Sequence, residues 1–552
     1  MDYIIGILNY YGGAVVKKIW LTLMFSVLVV IGVACSNSED SMKGHDMSNM
    51  NKEDMNDHDT SNMNIDKGEE SKKEKLPSTQ ETQIKTGKEF TLTAKEATHD
   101  FGNGTKLPVW TYDGSVPGSQ IRVKQGDKVK VNLKNELSEP VTIHWHGLPV
   151  PNSQDGVPGV TMNAVQLGKT FTYEFIASVP GTYWYHSHQD SVNQIDKGLY
   201  GTLIVERKDE EKVDKDYTLV LDEWISSGKS SMESMNHSSM GSKEDKKASD
   251  NSAHSMDGMN MEEDMSMYDL YTINGKSAKN METLKVKEGD TVKLRLVNAG
   301  YISHKIHLHG YDFKIVSTDG QPVNDAAIIK DQTVTVAPGE RYDLVFKANN
   351  PGTSYIESHD DTDAAKNMVA KIVYDNSKKA NDKLNPKESL PNVDITKYGK
   401  TTKSEFSLDT KFDVDYKMNL GTAMKDNSMV YTINNRTYPN TEPLDVKEGD
   451  LVKVTLKNTS KSADHPMHLH GHFFQVLSKN GKPIEGSPLM KDTLNVKPSE
   501  EYVVAFKADN PGNWMFHCHD LHHASAGMVT EVKYKGYKAS FTPDLNANNK
   551  PE

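Results

Sequence analysis

Cysteine is nearly absent from this chain of 552 residues, which contains only Cys35 and Cys518. Cys35 lies at the end of an N-terminal apolar run, so we expect no internal disulfide in the folded protein. Hydrophobic residues account for only 36% of the sequence, which is low for a globular chain and implies that part of it is unpacked. Basic residues are outnumbered, with 64 Lys and Arg against 77 Asp and Glu. The net charge of −13 argues against nucleic acid and suits a cationic or small neutral partner.

The N-terminal apolar run is too short for a membrane-spanning helix. It extends over Ile19–Ala34, which is 16 residues, whereas a span requires roughly 20. Two lysines precede it and small residues end it, which is typical of an export leader over residues 1–35. The sequence Gly32–Cys35 resembles a bacterial lipoprotein cleavage site. We therefore expect an exported, extracytoplasmic protein that Cys35 anchors to the outer face of the cell membrane; an uncleaved anchor that includes Tyr3–Val16 is the alternative.

Three segments of the chain are copies of one another. Each contains a Gly-Asp turn and then a strict alternation of aliphatic and polar residues, which is typical of a half-buried β-strand. Each is followed by an HxHG motif and then by a Pro-Gly turn with another short strand. The copies of the first strand are VKQGDKVKVNLKN (Val123–Asn135), VKEGDTVKLRLVN (Val286–Asn298) and VKEGDLVKVTLKN (Val446–Asn458).

The spacing of these copies, about 160 residues, is that of a whole domain. Short alternating strands with Gly, Pro, Asn and Asp turns lie between them and favour β-sandwiches over helices or parallel sheets. We therefore predict an all-β protein with three similar β-sandwich domains at residues 81–208, 209–378 and 400–537. A charged linker at 379–399 and a tail at 538–552 complete the chain.

Two polar segments carry methionine at unusual density. Residues 36–80 are predicted to be a disordered linker, and residues 226–267 form a polar insertion in the second domain. Together they contain 13 of the 25 methionines. Methionine is normally kept for cores, and its soft thioether selects Cu(I). These segments therefore predict Cu(I) binding, with low-complexity drift as the alternative.

Four His-x-His pairs stand at matched places in the first and third predicted domains. On a strand, residues i and i+2 point to the same face, so each pair can present two imidazoles towards a common point. Eight imidazoles suit Cu, Zn, Fe or Ni as ligands. Histidines that serve only as core or surface residues would not be expected to occur as four pairs at matched places of a repeat. The pairs are His144/His146, His186/His188, His468/His470 and His517/His519.

A second set of candidate ligands surrounds Cys518. His465 precedes the third pair by three residues, while His523 and Met528 follow Cys518 by five and ten residues. Two imidazoles, a thiolate and a weak thioether form the ligand set of a blue-copper electron-transfer centre. Cys518 points to the strand face opposite its two histidine neighbours. We therefore expect it to link two metal sites covalently.

The motifs HWHG, HSH, HPMHLHG and HCH…H…M, in this order, resemble those of three-domain multicopper oxidases, such as laccases, ascorbate oxidase and bacterial copper-tolerance (cuprous) oxidases. The resemblance covers residues 81–537. It implies cupredoxin-like Greek-key domains and four copper ions, with a donor oxidised at type 1 copper and O₂ reduced to water at a trinuclear cluster. The implied ligands are His465, Cys518, His523 and Met528 for type 1, His144 and His468 for type 2, and, for the type 3 pair, His146, His186 and His519 together with His188, His470 and His517.

The second domain lacks a complete ligand set for either a type 1 copper or a trinuclear cluster. PGTSYIESHDDTDAAKNM aligns without gaps to PGNWMFHCHDLHHASAGM, and it places Glu357, Ser358 and Asp363 where a cluster histidine, the cysteine and a type 1 histidine stand. Ser187 takes the cysteine position in the first domain, so a single type 1 site is expected. The remaining histidines of the second domain are interpreted as remnants with a structural or surface role: His304, His307, His309 and His359.

Several polar residues lie close in sequence to the implied ligands. Asp155 matches an acidic residue that family members place near the trinuclear cluster, where it could relay protons to O₂; an Asp-Gly turn residue is the alternative. Asp464 is a candidate for docking a cationic donor, or else a plain surface charge. His472 and His522 fit no ligand position. Some bacterial members carry a second acid where this chain has Ala524, which puts proton supply by that route in doubt.

Three functions remain open at the level of sequence. The leading hypothesis is oxidation of Cu(I) to Cu(II) in copper tolerance, because both methionine-rich segments select Cu(I). Laccase-type oxidation of phenols is the alternative. A copper-sequestering surface protein is the second alternative, although such a protein would need no complete type 1 site.

Overall fold

The structure is a computed structural model that describes residues 76–229, 267–375, 384 and 388–552. The predicted leader, most of the methionine-rich linker and most of the insertion lie outside these residues. Within them, 32 strands form six β-sheets. No helix in this part of the chain is long and apolar enough to cross a membrane. The predicted all-β fold of three cupredoxin-like Greek-key β-sandwiches is confirmed, since two sheets belong to each of the three domains.

The first domain contains nine strands and the helix α1 (Ser191–Asp196). Its strands are β1 (Ile84–Thr86), β2 (Glu89–Asp100), β3 (Lys106–Tyr112), β4 (Gln120–Lys124), β5 (Lys128–Asn135), β6 (His144–His146), β7 (Thr170–Ile176), β8 (Gly181–His186) and β9 (Tyr200–Glu206). One sheet has the order β1-β4-β9-β8-β6, and the other has the order β3-β2-β5-β7. A short 3-10 helix, Asn152–Gln154, follows β6.

The second domain contains eleven strands in the described residues. They are β10 (Lys215–Trp224), β11 (Leu270–Ile273), β12 (Glu282–Val286), β13 (Thr291–Asn298), β14 (His304–Leu308), β15 (Phe313–Thr318), β16 (Gln321–Pro322), β17 (Val334–Val336), β18 (Arg341–Lys347), β19 (Thr353–Ser358) and β20 (Val369–Tyr374). The sheets have the orders β11-β10-β13-β18-β15-β16 and β12-β20-β19-β14-β17. Further 3-10 helices are Ala278–Asn280, Ala364–Asn367 and, in the linker, Ile395–Lys397.

The third domain contains twelve strands and the helix α2 (Leu521–Ser525). Its strands are β21 (Val414–Lys425), β22 (Ser428–Ile433), β23 (Leu444–Val446), β24 (Leu451–Asn458), β25 (His465–Leu469), β26 (Phe474–Lys479), β27 (Lys482–Pro483), β28 (Leu489–Lys491), β29 (Thr493–Val496), β30 (Glu501–Lys507), β31 (Asn513–Cys518) and β32 (Val529–Tyr534). The sheets have the orders β22-β21-β24-β30-β26-β27, with β28 beside β26, and β23-β32-β31-β25-β29.

The repeated segment folds in the same way in all three domains. In each Gly-Asp turn, the Asp carboxylate accepts a hydrogen bond from the backbone N–H three residues earlier. Each strand then ends at a buried Asn, whose side-chain amide donates to one carbonyl a few residues downstream and to another 30 or more residues away. These asparagines are Asn135, Asn298 and Asn458. They satisfy buried backbone groups and so fix the loop that leads into each HxHG strand.

The second copy of the repeat differs from the prediction in its burial. Its strand β13 was expected to expose one face, yet Lys293 and Arg295 are buried. Arg295 donates hydrogen bonds to Asp216, to Asp343 and to the hydroxyl of Thr182 in the first domain. Because the first domain covers this face, its charged side chains need partners, and they have them.

The expected disorder of residues 36–80 is wrong for its last few residues. Thr79 donates its backbone N–H to the carbonyl of Thr98, and Thr98 donates to the carbonyl of Pro77. These backbone bonds join residues 77–79 to strand β2 of the first domain. A polar composition does not prevent a segment from pairing with a strand through its main chain.

A continuous apolar core joins the second domain to its neighbours. It contains Trp184 and Val192 of the first domain, Leu294 and Ile306 of the second, and Leu521 of the third. The first and third domains also have apolar clusters of their own. A closely packed apolar core resists relative movement of the domains. The histidine strands of the first and third domains are therefore held at fixed distances from each other.

Candidate metal centre

The four His-x-His pairs occupy equivalent strands of the first and third domains. Strand β6 pairs with β8, which places His144 opposite His186. Strand β25 pairs with β31 in the same way and places His468 opposite His517. The second histidine of each pair lies two residues further along. All eight imidazoles are buried.

The two domains bring these eight rings into one cluster. His146 stacks on His468 with 3.7 Å between ring centroids, and His144 stacks on His470 with 3.9 Å. The Nε2 atoms of His470 and His517 lie 3.0 Å apart, and His188 completes a group whose ligand atoms lie within 4.8 Å of one another. On the other side, the centroid of the His519 ring lies 4.7 Å from that of His146 and 5.5 Å from that of His186.

Neighbouring oxygen atoms fix how several of these rings point. The Nδ1 atoms of His144, His186 and His468 lie 2.8, 2.9 and 3.0 Å from the backbone carbonyls of Asp155, Ser187 and Asp492. A protonated Nδ1 that donates to a carbonyl leaves Nε2 with a free lone pair. The Nε2 atoms of these three histidines have no hydrogen-bond partner among the described residues. A buried nitrogen lone pair without a partner destabilises the fold. A metal ion bound to these Nε2 atoms would supply that partner.

Burial disfavours the charged form of an imidazole. Burial is the main reason why the pKa of His188 is lowered to about 3, and the positive charge that His144 would carry contributes to the same shift. Burial and neighbouring imidazoles likewise hold the pKa values of His186, His517 and His519 well below the usual range. Because metals bind the neutral imidazole, the cluster is in its ligating form at physiological pH.

The second group lies at the end of β31. The Sγ atom of Cys518 lies 3.6 Å from Nδ1 of His523 and 3.9 Å from Nδ1 of His465, and these two nitrogens are 3.3 Å apart. Met528 is buried, and its carbonyl accepts a hydrogen bond of 3.0 Å from the backbone N–H of Cys518. Burial raises the pKa of the Cys518 thiol, and a bound metal is the usual means by which such a thiol is deprotonated.

Helix α2 brings the chain back towards the side chain of Cys518. Its first turn is capped by Asp520, whose carboxylate accepts a hydrogen bond of 3.1 Å from the backbone N–H of His522. This short helix carries His523 beside the thiol. His517 and His519 face the eight-histidine cluster while Cys518 faces the second group, so three consecutive residues contact both groups.

Comparison with known proteins agrees with this arrangement. Two family models, both described as multicopper oxidase, match residues 93–210 and residues 246–378 with 407–536. Multicopper oxidase MmcO of Mycobacterium tuberculosis is 30% identical over 464 residues, which cover 80% of this chain and 86% of MmcO. The chain belongs to the multicopper oxidase family. It is therefore an oxidoreductase with copper cofactors.

Other relatives of this oxidase carry several functional names. Copper resistance protein A of Escherichia coli is 23% identical and covers 81% of this chain, with 92% of that protein matched. Further curated relatives are named laccases or iron transport multicopper oxidases. A crystal structure of a multi-copper oxidase from Pseudomonas thermotolerans is 26% identical, with a TM-score of 0.59, and covers 82% of this chain and 100% of that chain.

In this oxidase, Asp155 contacts two cluster histidines. Its carboxylate accepts a hydrogen bond of 2.9 Å from Nδ1 of His470, and its backbone carbonyl lies 2.8 Å from Nδ1 of His144. It also directly follows the 3-10 helix Asn152–Gln154. Asp155 is therefore a turn residue and a ring-orienting residue at once, and its carboxylate is buried beside the cluster.

Arg341 of the second domain was not predicted from the sequence. Its guanidinium donates two hydrogen bonds, of 2.7 and 2.6 Å, to the carboxylate of Asp492 in the third domain. Asp492 in turn holds His468 through its backbone carbonyl. Gly147 has a positive φ of 80°, and a Cβ there would lie 2.2 Å from Arg341. The glycine of the first HxHG motif thus leaves room for this ion pair.

The tail of the chain also reaches the cluster, which the sequence did not indicate. The carbonyl of Pro551 lies 2.5 Å from Nδ1 of His188. One carboxylate oxygen of Glu552 lies 3.4 Å from Nδ1 of His517, and the other accepts a hydrogen bond from Ser191. Burial raises the pKa of Glu552 to about 8. The tail is polar and has no hydrophobic periodicity, so this contact with the cluster could not be predicted from the sequence.

A cavity of about 960 Å³ opens beside the Cys518 group. His522 and His523 form part of its wall, as do the carboxylates of Asp269, Asp464 and Asp520. His522 was predicted to fit no ligand position, and its Nε2 lies 3.3 Å from the hydroxyl of Tyr268. The other unassigned histidine, His472, is buried and bonded to Tyr534. The wall is therefore acidic next to a residue of the candidate ligand set.

The second-domain histidines differ from one another. His304 pairs with Glu223 and Asp360. Burial alone would lower its pKa, but these carboxylates outweigh that effect and raise it to about 10. The expected structural role fits His304. His307, His309 and His359, in contrast, lie together as a buried group.

Proposed function

We propose that this oxidase couples one-electron oxidation of a donor, with Cu(I) as the preferred donor, to the four-electron reduction of O₂ to water. Four coppers would be held. The type 1 ligands are His465, Cys518, His523 and Met528; the type 2 ligands are His144 and His468; the type 3 ligands are His146, His186 and His519 with His188, His470 and His517. When bound, the coppers accept single electrons from the donor and supply four of them to O₂.

The protein contributes position and protons to this reaction. Cys518 is joined through the main chain to His517 and His519, which provides a short covalent path between the two ligand groups. Asp155 orients His470 and is placed to deliver protons where O₂ is reduced. The buried shell around both groups excludes water and fixes the ligands in advance.

The acidic cavity beside His523 supports Cu(I) as the preferred donor. Three carboxylates of its wall, those of Asp269, Asp464 and Asp520, attract a small cation. Burial raises the pKa of Asp464, but the side-chain amide of Asn495 donates a hydrogen bond to its carboxylate and opposes this shift. A site of this kind accepts Cu⁺ more readily than a large neutral molecule.

The methionine-rich insertion is attached at this same cavity. Ser226 donates two hydrogen bonds, of 2.7 and 2.6 Å, to the carboxylate of Asp269, and so the two ends of the insertion are joined at the wall. Tyr268, the next wall residue, follows Met267 directly. Thioethers tethered at this position raise the local Cu(I) concentration at the donor site.

Deletion of residues 230–266 tests this proposal. We expect the KM for Cu(I) to rise several-fold while kcat/KM for a phenol stays equal or increases, measured by oxygen uptake at matched O₂. A control variant of the same length, with the methionines of the segment replaced by serine, should reproduce the loss for Cu(I). An equal loss for both donors would assign the segment to folding, and unchanged Cu(I) kinetics would refute the delivery role.

Laccase-type oxidation of phenols is the second candidate, and the cavity wall supports it in one respect. Tyr271, Tyr301 and Pro338 also line the cavity and offer flat surfaces for an aromatic ring. Copper sequestration alone would require neither the Cys518 group nor its link to the cluster. Export and anchoring through Cys35 remain part of the proposal and rest on the leader sequence.

A further inference from the structure

The second domain contains a buried group of three histidines and a glutamate that the proposed function does not use. His307 on β14 stands opposite Glu357 on β19. His309 and His359 each lie two residues further along the chain. This is the register of His468 and His517 in the third domain. The second domain therefore retains one half of a histidine cluster, with a carboxylate in place of one imidazole.

The ligand atoms of this group converge. The Nε2 atoms of His309 and His359 lie 3.5 Å apart. One carboxylate oxygen of Glu357 lies 2.5 Å from the first of these nitrogens and 3.6 Å from the second. Nitrogen atoms of the three histidines all lie within 4.8 Å of one another. A tetrahedral ion with bonds of about 2.0–2.1 Å holds its ligand atoms roughly 3.4 Å apart, so little movement is needed.

The surroundings of the group are those of a ligand set. All four side chains are buried, and the exposed fraction of His307 is 4%. The Nδ1 atom of His359 lies 2.9 Å from the carbonyl of Glu388, which orients Nε2 towards the group. The Nδ1 atom of His307 has no hydrogen-bond partner in the part of the chain that the structure describes. His304 on the same strand provides the contrast, because both its nitrogens face carboxylates.

We propose that His307, His309, His359 and Glu357 bind one divalent transition-metal ion, Cu²⁺ or Zn²⁺, at a site separate from the proposed type 1 and trinuclear sites. Three imidazoles and a carboxylate suit both ions, and Cu²⁺ binds such a set more tightly than Zn²⁺. The group contains neither a thiolate nor a thioether, the ligands that select Cu(I). The site is therefore expected to be colourless with zinc and to lack a blue-copper spectrum with copper.

Metal analysis of the full-length protein, loaded with copper, equilibrated with excess Zn²⁺ and then dialysed, tests the site through the total of bound copper and zinc. We compare the wild type with the His307→Gln/His359→Gln variant and with His99→Gln, which replaces a buried histidine of the first domain. The double variant should hold one equivalent of metal, copper and zinc together, fewer than the wild type, and His99→Gln should hold the same number as the wild type. Equal stoichiometry in all three proteins would overturn the proposal. Because the other copper ligands are filled and unaltered, this result does not depend on oxidase activity.

A second measurement covers the case in which the double variant fails to fold. Crystals of the wild type soaked in Zn²⁺ should give an anomalous peak between the three histidines and Glu357. The Glu357→His variant restores the fourth imidazole found in the other two domains and should keep the peak, because imidazole and carboxylate are both zinc ligands. Zinc bound elsewhere in the crystal with no peak at these four side chains would overturn the proposal.

Discussion

At the residue scale, the imidazoles of the eight-histidine cluster depend on the groups that hold their second nitrogens. Backbone carbonyls hold most of them, whereas His470 is held by the carboxylate of Asp155. A carbonyl can only accept a hydrogen bond, while a carboxylate can also take up and release a proton. This difference gives Asp155 a chemical role that the backbone carbonyls lack.

Replacing Asp155 by asparagine separates orientation from proton transfer. The side-chain oxygen of asparagine can still accept from Nδ1 of His470, so we expect the copper content to stay unchanged. The amide cannot carry a proton, so kcat should fall about 10²-fold or more, with an altered pH profile. Oxygen uptake across a pH series, together with elemental analysis, provides the measurement. Wild-type kcat at every pH would leave Asp155 with only its role in the turn and in orientation.

The ligand residues could be predicted from sequence because their spacing is local. An i,i+2 pair on a strand or a histidine five residues after Cys518 is visible in the chain itself. Arg341 and Glu552 could not be predicted, because each reaches the cluster from a distant part of the sequence. The second-domain histidines were interpreted as remnants because the alignment showed lost ligands. Only the structure shows that three of them and Glu357 converge.

At the element scale, strand β14 shows two outcomes for neighbouring histidines. His307 faces the proposed metal site, whereas His304 forms a buried ion-pair group with Glu223 on β10 and with Asp360. This group ties the two sheets of the second domain together. The alternating pattern that identified such strands predicted β5 and β24 well, but not the burial of β13, because another domain covers it.

The His304 group predicts a pH dependence of stability. Its pKa of about 10 in the folded protein lies above the unfolded value of about 6.5. The ion pairs therefore stabilise the fold fully below about pH 6.5, and this contribution is lost as the pH rises towards 10. His304→Gln should lower the free energy of unfolding by about 3–5 kcal/mol at pH 6 and by much less at pH 10. Urea unfolding at both pH values measures this; a constant difference would contradict the ion-pair account.

At the scale of the whole molecule, the second domain supports the eight-histidine cluster, although all eight histidines belong to the first and third domains. Arg341 crosses from the second domain to Asp492 of the third and also donates to the carbonyl of Thr182 in the first. All three domains therefore meet at one buried guanidinium. Sequence periodicity predicted three domains of the same fold, but it carries no information on how their surfaces match.

Arg341→Met tests this support. It leaves the Asp492 carboxylate buried without its partner, so we expect a loss of about 3–5 kcal/mol in stability and a lower copper content of the cluster. The blue colour should persist, because the Cys518 group lies wholly in the third domain. Arg295→Met is the matched control: it breaks the buried ion pairs with Asp216 and Asp343 within the second domain and leaves the pair of Arg341 with Asp492 in place. Equal copper loss in both variants would point to general instability instead.

Copper analysis with absorption spectroscopy tests the central claim most directly, namely that Cys518 binds one copper while its histidine neighbours bind others. The protein is expressed in copper-replete medium in the His307→Gln/His359→Gln background, which removes the proposed second-domain site. We expect four coppers per chain and a blue absorption band. Adding Cys518→Ser should remove one copper, the blue band and the oxidase activity, and leave the other three coppers largely bound. Zinc as the dominant metal, or a Cys518→Ser protein that stays blue, would contradict the account.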